Sequence, residues 1–190
     1  MNTSRFLQFI DTMDALVGRT SNESTVLDQA EVALKSLIAH DDWLPTDYAK
    51  AVPERYQSYA LYVDAKARYS VISFVWAPGQ GTAVHNHTVW GLVGVLRGAE
   101  LCEEFPVPGI GLMQSTYQHK LVRGDVDRVS PTIGDWHKVS NAAAGETTVS
   151  IHVYGADIGR VHRHYWDAAK QMPQPMVSGY SNDMPWIGAR

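Results

Sequence analysis

Residues 79–91 have the sequence GQGTAVHNHTVWG, in which two glycines lead into a pair of histidines separated by one residue. In an extended strand, the side chains at positions i and i+2 project to the same face. If residues 84–88 are extended, His85 and His87 therefore point the same way, and imidazole is the commonest side-chain ligand of transition metals. Two histidines alone do not form a metal site, so a third ligand has to come from elsewhere in the chain.

The composition of the 190 residues, 45% hydrophobic and 19% charged, is typical of an ordinary soluble globular protein. The net charge of -4 and the lack of any basic run argue against binding to nucleic acid or to a membrane surface. Cys102 is the only cysteine, so no intrachain disulfide can form. No stretch approaches the roughly 18 apolar residues of a membrane span. We expect a cytoplasmic protein of one domain, and the sequence leaves a homo-oligomer open.

The chain changes character near Pro53. Before it, apolar residues recur at helical spacing and predict a helical layer within residues 4–50. Beyond it, runs rich in β-branched and aromatic residues alternate with glycine and proline, which predicts a mainly β sandwich or small barrel over residues 55–155. Residues 156–190 are expected to form an extension packed on the barrel, with one short helical turn around residues 166–170. The strand-like runs lie near residues 59–63, 69–76, 89–97, 100–105, 112–121, 125–129, 135–139 and 147–154.

A third histidine follows a second glycine turn. Residues 131–141 have the sequence PTIGDWHKVSN, which repeats the pattern of a turn and then a strand that carries a histidine. A barrel brings strands that are distant in sequence within reach of one another. We therefore expect His137 to complete a three-histidine metal site with His85 and His87.

The two histidine stretches resemble the two motifs of the cupin family, whose fold is a double-stranded β-helix, or jelly-roll barrel, with a metal inside. The resemblance implies a single cupin domain over residues 1–190. An ordinary cupin carries a glutamate as fourth ligand where this chain has Gly91. In this respect the chain resembles the cysteine dioxygenase family of thiol dioxygenases, whose members hold non-haem Fe(II) with three neutral histidines. This resemblance implies Fe(II) as the cofactor of His85, His87 and His137.

A second match to this family lies in the sequence SIHVY at residues 150–154. Ser150, His152 and Tyr154 have the i, i+2, i+4 spacing of the family's outer-sphere Ser-His-Tyr relay. On a strand these side chains line one face, where serine and histidine can orient the tyrosine hydroxyl towards the metal. Animal members crosslink this tyrosine to a cysteine at the position of Gly91, so the chain resembles the bacterial branch.

The resemblance also suggests how the substrate is held. Enzymes of the family that act on cysteine use an arginine on an early strand, and Gln57 stands at the corresponding position here. This resembles the Gln-type enzymes that act on 3-mercaptopropionate, in which an arginine of the C-terminal segment binds the substrate carboxylate. Arg163 is the expected counterpart, with Arg160 as the alternative.

The implied function is oxidation of a small carboxylate thiol with O2 to the sulfinate, with 3-mercaptopropionate as the leading substrate and cysteine or mercaptosuccinate as alternatives. A different class of function is a non-catalytic cupin that binds a metal or small ligand, and a third is a zinc or nickel cupin with isomerase or hydrolase activity. Cys102 has acidic neighbours and is expected to be an inert thiol. The remaining histidines lack a metal-binding spacing and are expected to be surface or structural residues: His40, His119, His162 and His164.

Overall fold

The computed structural model describes residues 2–109 and 113–188. Two helices and a short 3-10 helix come first, and they are followed by strands. The second helix is capped by Asn22, whose Oδ1 accepts a hydrogen bond from Thr25 N at 2.9 Å. No helix of these ranges has both the length and the apolar character needed to cross a membrane. The elements are α1 (Thr3–Arg19), α2 (Glu23–Ile38), the 3-10 helix (Thr46–Ala49), β1 (Gln57–Val63), β2 (Ser70–Trp76), β3 (Gly91–Arg97), β4 (Ala99–Glu104), β5 (Tyr117–Val122), β6 (Val126–Val129), β7 (His137–Asn141), β8 (Thr148–Tyr154), β9 (Arg163–Asp167) and β10 (Met172–Met176).

The described strands form two larger antiparallel sheets and the two-stranded hairpin β9-β10. The first has the order β1-β2-β8-β3-β6, and the second contains β5-β4-β7. Single bridges from His85 to His137 on β7 and to Tyr165 on β9 join the second sheet to the hairpin β9-β10. The first histidine stretch therefore lies between β7 and β9. The predicted mainly β fold, a double-stranded β-helix with an N-terminal helical layer, is confirmed.

Strand β8 shows how the sequence separates the helical layer from the barrel interior. All seven of its residues are buried, so both faces are covered. Val149, Ile151 and Val153 belong to the hydrophobic core that includes the buried faces of α1 and α2. Because successive side chains on a strand alternate between faces, the intervening residues Ser150 and His152 point into the barrel. The helical layer thus packs against the apolar face of β8, and the opposite, polar face of this strand lines the barrel interior, where a site can form.

The expected helical turn around residues 166–170 is wrong. Residues 163–176 form the antiparallel hairpin of β9 and β10, in which Pro175 lies opposite His164. Proline lacks the backbone N–H needed in a central strand, and here it lies on an edge strand, where that loss is tolerated. The strand expected over residues 112–121 begins at Tyr117, and residue 112 lies outside the described residues.

Candidate metal centre and active site

Three histidine rings meet inside the barrel. Their centroids are 4.9 Å apart for His85 and His87, 4.8 Å for His85 and His137, and 4.8 Å for His87 and His137. The extended segment expected over residues 84–88 is shorter than predicted, because the chain turns at Thr88 with a φ of 63°. The structure nevertheless brings together the three histidines that the sequence singled out, with one ligand atom of each within 4.8 Å of the others.

Each ring is held through its Nδ1 atom, which leaves Nε2 available on the other side. The Nδ1 partners are Ala83 O at 3.0 Å for His85, Asp135 Oδ1 at 3.0 Å for His87 and Cys102 Sγ at 3.6 Å for His137. Among these rings, His87 Nε2 is buried and has no hydrogen-bond partner. A buried polar atom without a partner is costly unless a ligand binds it.

The electrostatic environment keeps these imidazoles neutral. Burial is the main cause that lowers the pKa of His85, His87 and His137 well below the ordinary value. Neutral imidazole is the form that binds a transition metal. The donor set and the orphaned Nε2 atom together fit a transition-metal ion, and three imidazoles alone do not distinguish iron from zinc or nickel.

The three residues predicted to form a relay lie in one continuous hydrogen-bonded chain on the inner face of β8. Ser150 Oγ and His152 Nε2 are 2.9 Å apart, and His152 Nδ1 and Tyr154 Oη are 2.8 Å apart. The Tyr154 ring stacks on the ring of His87 at a centroid distance of 5.1 Å. The chain therefore ends beside the histidine cluster, as its spacing predicts. Burial raises the pKa of the Tyr154 hydroxyl, which stays protonated at neutral pH.

A cavity of about 300 Å³ opens beside this cluster. Arg163 lies in its wall and is only 6% exposed, and its Nη1 donates to Asn86 O at 3.2 Å. Its Nε atom is buried without a partner. A larger groove of about 570 Å³ is lined by residues of α1 and α2 and contains none of these groups. The lining of the smaller cavity comprises Tyr56, Phe74, Thr82, Ala83, His85, Tyr154, Arg163, Tyr165, Met176 and Ser178.

The family model for cysteine dioxygenase type I matches residues 4–166. The chain belongs to this family. A metal-dependent dioxygenase is the activity that this membership indicates, and the histidine cluster lies within the matched range.

Several solved structures are similar to this chain at low sequence identity, and they include a protein with a double-stranded β-helix domain and a cupin superfamily protein. A conserved protein from Klebsiella pneumoniae is 18% identical, with 62% of this chain and 91% of that chain covered and a TM-score of 0.45. A cupin superfamily protein from Desulfitobacterium hafniense is also 18% identical, with 65% and 88% covered and a TM-score of 0.44. An oxalate oxidase in complex with glycolate is 15% identical, with 73% and 64% covered and a TM-score of 0.47.

In this cysteine dioxygenase family member, Gly91 has no room for a side chain. A Cβ atom built on Gly91 would lie 2.6 Å from Cδ1 of Tyr154 and 2.9 Å from Cγ2 of Val129. Gly91 on β3 and Tyr154 on β8 are register partners, so the tyrosine ring fills the space above the glycine. A carboxylate ligand at this position is therefore incompatible with the observed place of Tyr154.

Asp135 is a site residue that sequence reasoning missed. Its Oδ1 accepts hydrogen bonds from His87 Nδ1 at 3.0 Å and from His87 N at 2.9 Å, and its Oδ2 accepts one from Thr88 N at 2.9 Å. A carboxylate that holds the second nitrogen of a ligand histidine fixes the ring and raises its basicity. The sequence did contain a signal for Asp135. It precedes His137 by two residues, which is the spacing that places two side chains on one face of a strand.

Arg163 and Gln57, the two predicted substrate contacts, lie in different surroundings. Arg163 lines the cavity, whereas the Arg160 side chain is 88% exposed and forms an ion pair with Asp157 at 3.4 Å. Gln57 is buried at the start of β1, and its Nε2 donates to the carbonyl oxygens of Arg55 and Tyr56 at 3.0 and 3.1 Å. The cavity wall on this side includes Tyr56, which the sequence did not single out. Contact between Gln57 and a substrate stays a prediction.

A second group of potential ligands lies behind His137. Cys102, His119 and Asp127 have ligand atoms within 4.8 Å of one another, and His119 Nε2 is 2.9 Å from Asp127 Oδ2. His119 thus has a carboxylate partner that its sequence position did not reveal. Burial, with the neighbouring carboxylates, raises the pKa of the Cys102 thiol and keeps it protonated.

Proposed function

We propose that this member of the family is an Fe(II)-dependent thiol dioxygenase that converts a small carboxylate thiol, 3-mercaptopropionate above all, to its sulfinate with O2. One observation carries the choice of substrate class. The buried guanidinium of Arg163 lines the same cavity as His85 of the histidine cluster, and Arg163 Nε is buried without a hydrogen-bond partner. A buried cation requires a counter-charge, and a substrate carboxylate would supply it through charge-assisted hydrogen bonds.

His85, His87 and His137 would hold Fe(II) through their Nε2 atoms, and the bound ion would supply the redox chemistry and lower the pKa of the substrate thiol. The overall reaction needs no further reductant, because the electrons that O2 gains come from the sulfur. Both oxygen atoms end on the sulfur, and the thiol proton is released. The residues of the chain therefore have to bind the substrate, orient it and keep a proton donor in place.

Tyr154 would provide that donor. Its hydroxyl lies at the end of the hydrogen-bonded chain from Ser150 and His152, and burial keeps it protonated. Because His152 holds the phenolic oxygen at 2.8 Å, the hydroxyl group can present its proton to a bound substrate without being free to rotate. Aromatic side chains of Tyr56 and Phe74 line the cavity and make its wall partly apolar.

The preference for 3-mercaptopropionate over cysteine rests on the absence of a receptor for an ammonium group among the named lining residues, which include no Asp or Glu. Asp135 lies near Arg163 but accepts three hydrogen bonds from His87 and Thr88. A thiol with a carboxylate and no amino group would leave no charge unpaired. Mercaptosuccinate is the second candidate, because Arg55 and Arg163 both line an adjoining cavity of about 180 Å³ that could receive a second carboxylate.

The test is oxygen consumption by iron-loaded protein, with kcat/KM measured side by side for 3-mercaptopropionate, cysteine and mercaptosuccinate. We expect the first to give the highest value. Lack of oxygen uptake with every thiol would support a non-catalytic cupin, and activity restored by zinc alone would support a hydrolase or isomerase. Higher kcat/KM for cysteine would contradict the substrate assignment while leaving the reaction class intact.

The role of Arg163 has its own test. Arg163→Ala should raise the KM for 3-mercaptopropionate by about 10- to 150-fold, the loss expected for a hydrogen bond to a charged group, and affect the KM for cysteamine far less. Arg160→Ala is the matched control, because Arg160 is exposed and paired with Asp157. Equal effects of Arg163→Ala on both thiols would exclude this residue as the carboxylate receptor.

A further inference from the structure

The second group of potential ligands lies outside the proposed active site. It consists of Cys102 on β4, His119 on β5 and Asp127 on β6, with one ligand atom of each within 4.8 Å of the others. Strands β5 and β6 are end strands of the two larger sheets, so the group stands where the edges of these sheets meet. We call these three residues the edge cluster.

The spacing of the edge cluster suits a zinc ion. Three atoms at the corners of a triangle with sides of 4.8 Å lie about 2.8 Å from its centre, and Zn²⁺ binds nitrogen, oxygen and sulfur at about 2.0–2.3 Å. Side-chain shifts of less than about 1 Å would therefore bring all three atoms to bonding distance. Thiolate, imidazole and carboxylate are also the ligand types that zinc takes in proteins.

The hydrogen bonds of His119 leave one of its ring nitrogens unsatisfied. Its Nε2 is 2.9 Å from Asp127 Oδ2, whereas its Nδ1 is buried without a hydrogen-bond partner. Glu104 Oε1 lies 3.8 Å from Nδ1, which is too long for a hydrogen bond. A neutral imidazole whose Nε2–H donates to Asp127 has a bare lone pair on Nδ1, and a carboxylate cannot donate to it.

An ion bound at Nε2 of His119 would remove this defect. The ring proton would then be on Nδ1 and would face the Glu104 carboxylate. Ligand histidines commonly donate their second N–H to a carboxylate in this way. The unsatisfied Nδ1 atom therefore points to a ligand at Nε2, independently of the spacing of the cluster.

Cys102 would supply a thiolate ligand. Burial and the nearby carboxylates of Asp127 and Glu104 raise the pKa of its thiol in the metal-free protein, and a cation among these groups opposes that effect, so binding would release the thiol proton to solvent. A cavity of about 70 Å³ adjoins Cys102 and Asp127 and has room for a water molecule as fourth ligand. The side chains of His119 and Asp127 are 21% and 25% exposed, which gives an ion a path from solvent.

We propose that Cys102, His119 and Asp127 form a zinc site that joins the edges of the two larger sheets. The site is separate from the three-histidine centre, because Cys102 Sγ lies on the Nδ1 side of His137. It does not depend on the proposed thiol dioxygenase activity. An ion there would link β5 to β6, which are not hydrogen-bonded neighbours, and would stabilise the folded chain.

A cobalt(II) titration of the metal-free chain in thiol-free buffer tests the proposal. A thiolate bound to cobalt(II) gives a charge-transfer absorption band in the near ultraviolet, and Cys102 is the only cysteine, so this band can come from no other residue. We expect the native chain to bind two equivalents of cobalt, one of them with the band. Zinc should abolish the band by displacing cobalt. Absence of the band at saturating cobalt would overturn the proposal.

Variants separate the edge cluster from the histidine centre. His87→Ala should lose one equivalent of cobalt and keep the band, whereas Cys102→Ala should lose the band. Asp127→Asn leaves the buried thiol in place and should also lose the second equivalent, so the test does not depend on the folding of Cys102→Ala. His40→Ala removes an exposed histidine outside the cluster and is the matched control, which should titrate like the native chain.

The pattern of loss also distinguishes the two metal centres. A band that persists unchanged in Asp127→Asn would overturn the assigned ligands, and a band lost in His87→Ala would assign the thiolate to the histidine centre. One equivalent of cobalt with the band would support the edge cluster and refute the three-histidine centre. A thiol panel without oxygen uptake would refute the proposed function and leave the zinc site standing.

Urea-induced unfolding of His87→Ala provides a readout that does not use absorption. Zinc should raise the midpoint of unfolding of this variant, because the ion binds the folded chain at the edge cluster. It should not raise the midpoint of the double variant His87→Ala/Asp127→Asn. Equal shifts in the two proteins would contradict the site.

Discussion

Replacing Glu100 with Gln should remove a pH-dependent loss of stability. The carboxyl group is fully buried and its oxygens lack hydrogen-bond partners, so the folded protein disfavours its ionised form. The unfolded chain exposes the same group to water and ionises it at an ordinary pKa. The glutamine side chain has nearly the same shape and carries no charge at any pH, so it isolates the contribution of ionisation.

The size of this stability loss follows from the pKa of Glu100 in the unfolded chain and its pKa in the folded protein. The pKa of Glu100 is raised from an ordinary value of 4.5 to about 7. Between these pH values the folded state binds more protons than the unfolded state, so the free energy of unfolding must fall as the pH rises. At 1.36 kcal/mol for each tenfold change in proton affinity, the loss between pH 4.5 and pH 7 amounts to about 3 kcal/mol.

The assay is urea-induced unfolding of metal-free protein at several pH values from acidic to mildly alkaline. The free energy of unfolding of Glu100→Gln minus that of the native chain should increase by about 3 kcal/mol across this range and then level off. The buried histidines also make stability depend on pH, but they are common to both proteins and cancel in the difference. Parallel curves for the two proteins would refute the reasoning, because Glu100 would then ionise equally in both states.

Three further changes test the metal centre. Asp135→Asn should weaken metal binding by about 10- to 100-fold in a competition titration with a chelator, because the amide lacks the negative charge that raises the basicity of His87 and its nitrogen cannot accept from Thr88 N; unchanged affinity would contradict this. Gly91→Ala should displace the Tyr154 ring and destabilise the protein by about 1–3 kcal/mol in urea unfolding, and an undisturbed ring in a crystal structure would disprove the clash. Tyr154→Phe should keep metal affinity and reduce kcat by about 10- to 150-fold, whereas an unchanged kcat would remove the hydroxyl from the reaction.

Much of the fold could be predicted because the strands carry local signals. The alternation on β8 gives both the apolar face toward the helices and the polar face that bears Ser150, His152 and Tyr154. The hairpin of β9 and β10 could not be predicted in this way. Its prolines read as breaks in local structure, and its pairing with the segment around His85 depends on contacts that exist only after the barrel has closed.

The candidate site could likewise be predicted only in part from local sequence patterns. The spacing of His85 and His87 and the turn before His137 indicate the metal ligands, but no local pattern places the Cys102 thiol beside the ring of His137. Cys102 lies on β4, and only the pairing of β4 with β7 brings it there. For Gln57 the sequence suggested a role that the local contacts do not display. Its position suggests a substrate contact, whereas its amide nitrogen donates to carbonyl oxygens just before it in the chain.

The glycine at position 91 and the charge of the site are connected through Tyr154. The tyrosine ring occupies the space that a side chain at this position would need, so the same residue that would donate a proton also keeps a carboxylate away from the histidines. With neutral imidazoles as ligands, a bound divalent ion and Arg163 would together leave the cavity positively charged. A thiol carboxylate that binds in its doubly ionised form brings the matching negative charge to both places. Cysteamine would leave Arg163 buried without a counter-charge, and the penalty should appear in kcat/KM.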